Sequence, residues 1–140
     1  MADTFTKQSI SHETAQKMVA AAVAKATELG IPQVVAVLDE SGLLKAFCRM
    51  DGAALVSIEV AQNKAYTALF GMPSADFYNF IKDDPALLAG VPHISRIALF
   101  GGGLPIRAGD RVVGGIGVSG GSVEQDVACA QAGLDVLKGS

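Results

Sequence analysis

The stretch Gln33-Val34-Val35-Ala36-Val37-Leu38 constrains this chain more than any other part of it. It is short, rich in β-branched residues and apolar on both alternating faces. A strand of that kind has no side to offer to water, so it belongs inside a sheet with packed layers above and below. Asp39-Glu40-Ser41-Gly42 follows with turn chemistry, Gly42 being free to take positive φ, and predicts a hairpin. Leu43 to Arg49 then returns as a second strand, with Leu44, Ala46 and Cys48 on one side and Lys45, Phe47 and Arg49 on the other.

Helices must supply the covering layers. Ser11 is a good N-cap, and Ala15, Met18, Val19, Ala22, Ala26 and Leu29 repeat at helical spacing until Gly30 and Pro32 stop the helix. A second helix is predicted from Ala53 to Phe70, with Ile58, Ala61, Ala65, Ala68 and Leu69 on one stripe. A shorter one, Ala75 to Ile81, follows Gly71-Met72-Pro73-Ser74. Asp83 to His93, interrupted by Pro85, Gly90 and Pro92, reads as irregular. Ile97 to Phe100 reads as a third strand. Pro105-Ile106-Arg107 and Arg111 to Ser119 form a hairpin across Ala108-Gly109-Asp110. The last helix runs from Ser122 to Lys138, and Ser122 with Gln125 makes a capping box. The order is α-β-β-α-α-β-β-β-α. It predicts an α+β domain built on a mainly antiparallel sheet of about five strands.

The length of 140 residues suits a single domain that needs no disulfide staple. Only 18% of residues are charged and 50% are hydrophobic, which suggests surface hidden in a homo-oligomer. Net charge is −3 with no Lys/Arg cluster, so a nucleic-acid or anionic-membrane footprint is not expected. The opening segment lacks the apolar core of a signal peptide, and no apolar run is long enough for a membrane span. Cys48 and Cys129 match no CxxC spacing and read as free thiols, which makes the cytoplasm the expected location.

Gly115-Ile116-Gly117-Val118-Ser119-Gly120 matches the dinucleotide pattern GxGxxG, but the match is rejected. The fingerprint needs a strand before it, then a helix and a second strand carrying an acidic ribose ligand. Here the glycines fall within the last predicted strand, where they let a helix or a partner chain approach closely. Ser119-Gly120-Gly121-Ser122 leads into a helix whose free N–H groups suit a carboxylate or phosphate. The capping box favours the simpler reading that Ser122 caps its own helix.

Gly101-Gly102-Gly103-Leu104-Pro105 specifies unusual backbone torsions without side-chain bulk, either a plain turn or a wall for a flat ligand. His12 and His93 are the two histidines. A zinc site needs three or four His, Cys or carboxylate ligands and no such cluster is visible, but haem needs only one or two axial ligands. His12, at the first turn of helix one, reads as a surface residue. His93, in the Pro-broken loop, is either a structural loop residue or a ligand. Arg49 either pairs with an acidic neighbour or grips a carboxylate, and Asp51 either caps the second helix or acts as an acid–base group. Lys64 and Tyr66 on that helix add a cation and a hydroxyl to the ligand-binding candidates.

Several blocks carry a resemblance. Val37 to Gly42, Arg49-Met50-Asp51-Gly52-Ala53 and Asn63-Lys64-Ala65-Tyr66-Thr67-Ala68 come first. Phe100 to Ile106 and Gly114 to Gly120 follow, and then Asp126. In this order they resemble the GlcG/HbpS-like family, which also takes in the C-terminal domain of PduO-type corrinoid adenosyltransferases. The resemblance spans nearly the whole chain. It implies an antiparallel sheet of about five strands flanked by helices, assembled as a homo-oligomer. It also implies a small-molecule ligand, which for several members is haem. Some members are exported redox or iron sensors, and others are encoded in catabolic operons. His93 lies in a block where the family often has a similar residue.

Three functions follow as expectations. The first is a haem- or tetrapyrrole-binding module, with His93 or His12 as axial ligand. Arg49, Lys64 and Tyr66 would help to hold the ligand, together with Gly101, Gly102, Gly103, Pro105, Ser119 and Gly120. The second is a small catabolic enzyme on an organic acid, with Arg49 holding a carboxylate and His93, Asp51 or Lys64 as acid or base. The third is an accessory protein without chemistry of its own.

Overall fold

Residues 34–38 have no solvent exposure, and their place in the sheet is the reason. The structure is a computed structural model that describes residues 2–139. Strand β1 (Val34–Asp39) lies between β2 (Leu44–Arg49) and β4 (Arg111–Ser119), with β3 (Gly103–Ala108) beyond β4. All three pairings are antiparallel, in the order β2-β1-β4-β3.

Alternation along the strands divides the core in two. Val35, Val37, Ile116 and Val118 pack under α1 (His12–Leu29) and α5 (Val123–Leu134), against Met18, Ala22, Cys129 and Ala130. Val34 and Ala36 face the other way, against Ala61 of α2 (Ser57–Ala68). Between α2 and β3 the chain forms α3 (Ser74–Ile81), α4 (Pro85–Gly90) and a 3-10 turn, Val91–His93. These wrap a satellite cluster of Phe77, Ile81 and Val91.

The helix ends follow local chemistry. Ser11 Oγ accepts from the Thr14 N–H, Gly30 closes α1 at φ 74°, and Ser122 with Gln125 forms the reciprocal capping box of α5. The hairpin also forms as expected. Gly42 has φ 82°, and Asp39 Oδ1 accepts from the N–H groups of Ser41 and Leu43.

Four expectations are corrected. Residues 97–100 do not join the sheet, which therefore has four strands; the Ala98 N–H donates to Thr67 Oγ at 2.8 Å instead of to a ladder partner. The stretch read as irregular contains α4, because Asp84 Oδ1 accepts from the N–H groups of Ala86 and Leu87 and Pro85 stands at the first turn. Helix α2 starts at Ser57, not Ala53, so Asp51 does not cap it. Helix α5 ends at Leu134 and passes into a 3-10 turn, Asp135–Gly139.

The glycines of β3 and β4 set how closely α2 approaches. Gly103 and Gly117 are direct partners across the two strands. A Cβ at Gly117 would lie 1.9 Å from Ala61 O, at Gly115 2.3 Å from Ala65 O, and at Gly103 2.1 Å from Lys64 O. Helix α2 therefore rests backbone-on-backbone in a lane of glycines, which is the close approach expected of the GxGxxG stretch.

Candidate functional site

The segment from the 3-10 turn to β3 is irregular in torsion, yet it is tied down at several points. Arg96 has φ 71°, unusual for a residue with a side chain. Its guanidinium lies 4.1 Å from the centre of the Tyr66 ring and donates to Gly42 O at 2.7 Å. Thr67 Oγ donates to Asn63 O and accepts from the Ala98 N–H. Ser74 Oγ donates to Phe100 O at 2.8 Å and accepts from the Gly103 N–H at 2.9 Å. Each end of 96–103 is thereby held against α2 and α3.

Between this segment and α2 lies a cleft of about 430 Å³, walled by Val60, Asn63, Pro92 and residues 97–100. That volume falls in the ordinary range for small-ligand sites. The wall is mainly apolar. The Asn63 carboxamide, on its α2 side, makes no hydrogen bond among the described residues. His93 follows Pro92 in the 3-10 turn, is exposed, and has no hydrogen-bond partner among the described residues.

Behind the cleft lies a buried charge pair. Lys64 is 1% exposed and Asp126 3%. Lys64 Nζ donates to Asp126 Oδ2 at 2.8 Å and to Val118 O at 2.9 Å, and sits 5.1 Å from the centre of the Phe100 ring. Burial pushes the Lys64 ammonium below its usual range, while the hydrogen bond and charge of Asp126 hold it up. Asp126 Oδ1 also accepts from the Gly121 N–H at 2.9 Å. The pair joins α2, the end of β4 and the start of α5.

The other sequence candidates are scattered. Arg49 and Asp51 are exposed, at the end of edge strand β2 and in the turn after it, and neither lines the cleft. His12 is exposed at the start of α1, on the opposite face of the sheet from α2. Gly101, Gly102 and Gly103 are buried against protein: a Cβ at Gly101 would meet Val123, and at Gly102 Val118 O and Lys64 Nζ. Pro105 lies in β3, half-buried. Ser119 Oγ donates to Ser57 Oγ, and Gly120 packs on Pro32 and Gln33. The first turn of α5 is satisfied by Ser122 and the Asp126 loop contact. Burial and the negative charge of Asp126 raise the pKa of the Cys129 thiol, which keeps it protonated. Among the described residues no group of three or more His, Cys, Asp or Glu side chains can hold a metal ion, and no helix is long and apolar enough to cross a membrane.

Sequence reasoning missed Val60 and Asn63 as cleft residues, Arg96 as a clamp, and the partner of Lys64. A free Asn and a Val three residues apart on a helix carry no signal until the 97–100 segment is laid beside them. Lys64 and Asp126 are 62 positions apart.

Comparison with known proteins gives these features a context. The family described as "Haem degrading protein HbpS-like" matches residues 10–135. An uncharacterized 15.0 kDa protein of the dhaT-dhaS intergenic region of Citrobacter freundii is 39% identical over 128 residues, 90% of each chain. The crystal structure of Klebsiella pneumoniae protein ORFY superposes with TM-score 0.90 at 34% identity, covering 100% of this chain and 98% of that one. The structure of a PduOC:haem complex superposes with TM-score 0.85 at 33% identity, covering 91% and 94%. On the extent of these matches, the chain belongs to the HbpS-like family.

Proposed function

We propose that this chain is a haem- or tetrapyrrole-binding module and takes the macrocycle in the cleft between α2 and residues 97–100. The observation that carries the reading is the cleft: a mainly apolar lining around about 430 Å³, with the uncommitted Asn63 carboxamide in it and Pro92 at its edge, the residue that precedes the exposed His93. An apolar wall suits the macrocycle, Asn63 suits a polar substituent, and His93 is the proposed axial ligand. The haem complex of a relative at 33% identity supports the same ligand class. His12 belongs to the other face of the sheet and is the weaker candidate.

The organic-acid reading draws less support, because Arg49 and Asp51 do not line the cleft and Lys64 is committed to Asp126. We place the module in a cytoplasmic homo-oligomer. Exposed Leu55 at 81%, Phe80 at 65% and Ile94 at 57% support assembly, and the two free cysteines suit a reducing compartment.

The test is a visible titration of the purified protein with hemin. The expected result is a saturable Soret shift at one equivalent per subunit, abolished in His93→Ala and kept in His12→Ala. A wild-type protein with no saturable shift refutes the function, and a shift indifferent to His93→Ala refutes the ligand assignment.

A further inference from the structure

Phe100 is set apart from the other exposed aromatic side chains by what lies behind it. The residue is 49% exposed and lines the cleft. On one side of the ring stands the Lys64 ammonium, 5.1 Å from the centroid and 1% exposed. The solvent-facing part of the ring is therefore its far face and edge. Its backbone has little freedom, since Phe100 O accepts from Ser74 Oγ at 2.8 Å and the next three residues are buried glycines. Gly102 leaves the space that Lys64 Nζ occupies, as a Cβ there would lie 2.8 Å away.

We infer that Phe100 is a fixed stacking platform and the specificity-determining residue of the cleft, selecting planar conjugated ligands over flexible apolar ones. The inference rests on the proposed function and adds the element that reads ligand shape. A rigid, half-exposed ring at the edge of an apolar cleft contributes contact area at little entropic cost on binding. The buried cation attracts π-electron density toward the protein side, which makes the exposed face a better partner for an electron-rich macrocycle. Stacking needs no metal, so this contribution is separable from axial ligation by His93.

The test uses the full chain with two probes, hemin and metal-free protoporphyrin IX, followed by absorbance and fluorescence. Phe100→Leu keeps an apolar side chain but loses the π face, Phe100→Trp keeps the π face, and His93→Ala removes the imidazole. Expected is at least a tenfold weaker Kd for both probes in Phe100→Leu, near wild-type binding in Phe100→Trp, and unchanged protoporphyrin IX binding in His93→Ala. Circular dichroism and light scattering on each variant report fold and assembly. Phe100→Leu binding both probes like wild type overturns the inference and leaves the haem reading standing. Loss of binding accompanied by a changed oligomeric state overturns it too, since Phe100 is then an assembly contact. A wild-type protein that binds neither probe overturns the inference together with the function beneath it.

Discussion

Gly117→Ala puts the closeness of α2 to the sheet under direct test. The added methyl carbon would lie 1.9 Å from Ala61 O and 2.6 Å from Ala65 N, both backbone atoms that no rotamer change can move aside. Gly117 is in ordinary strand backbone, not the positive-φ region, so the substitution carries no torsional penalty and its whole effect comes from contact. Relief to an ordinary separation requires α2 to withdraw by about 1.5 Å, and overpacking of this kind costs about 1–3 kcal/mol. Withdrawal also loosens Ala61 against Val34 and Ala36, which places the expected loss near the top of that range, about 3 kcal/mol. For a domain held by about 5–15 kcal/mol the change is large. Urea unfolding should show a lower midpoint at unchanged slope. Gly90→Ala is the control: nothing lies within 4 Å of its added carbon and its φ is −93°, so its stability should stay within about 0.5 kcal/mol of wild type. If Gly117→Ala unfolds at the wild-type midpoint, the glycine lane does not set the helix position.

Two further outcomes follow from the charges. Lys64→Met should destabilise by about 3–5 kcal/mol by stranding Asp126 in the core, and Lys64→Met with Asp126→Leu should recover much of that loss; denaturant midpoints of the single and double variants decide it. Glu40 is held down to about 2 by its hydrogen bonds to Lys7, Ser41 and Ser9. Because its folded pKa is depressed, its contribution is complete above the usual carboxylate value of 4.5 and disappears as pH falls toward about 2. The pair lies near the surface, so the contribution should not exceed about 1 kcal/mol. NMR titration should find the carboxyl pKa raised in Lys7→Met but still below its ordinary value, because Ser41 and Ser9 remain, and an unchanged value there would remove Lys7 as the main cause.

How much of this was legible in the chain depends on the range over which each feature is decided. Ser11, Gly30, Gly42 and the Ser122–Gln125 box act on backbone groups a few residues away, and the structure bears them out. The central strand was equally plain, since a run apolar on both faces leaves one place in a sheet. Asp84-Pro85 held a start signal for α4, but the nearby Gly90 and Pro92 suggested irregularity. Ile97 to Phe100 has the composition of a strand. Its fate was decided by Thr67, 31 positions before Ala98, whose hydroxyl takes the N–H of Ala98. The fold class depended on the first kind of feature, whereas the cleft depends on the second. Its two walls come from segments about 30 positions apart, and no local pattern announces that they meet.

The glycine lane also separates two tasks that most binding domains perform with the same side chains. Where a helix is spaced from its sheet by interlocking side chains, changing the lining of an adjacent cavity disturbs the spacing as well. Here main chain bears on main chain, and the side chains at 60, 63 and 97–100 carry little of that load. The frame can stay constant while the lining is rewritten, so a single scaffold could accommodate unlike ligands through a handful of surface-ward substitutions. For the same reason, a designer seeking a new specificity in this chain should leave Gly103, Gly115 and Gly117 untouched and vary only the cleft wall.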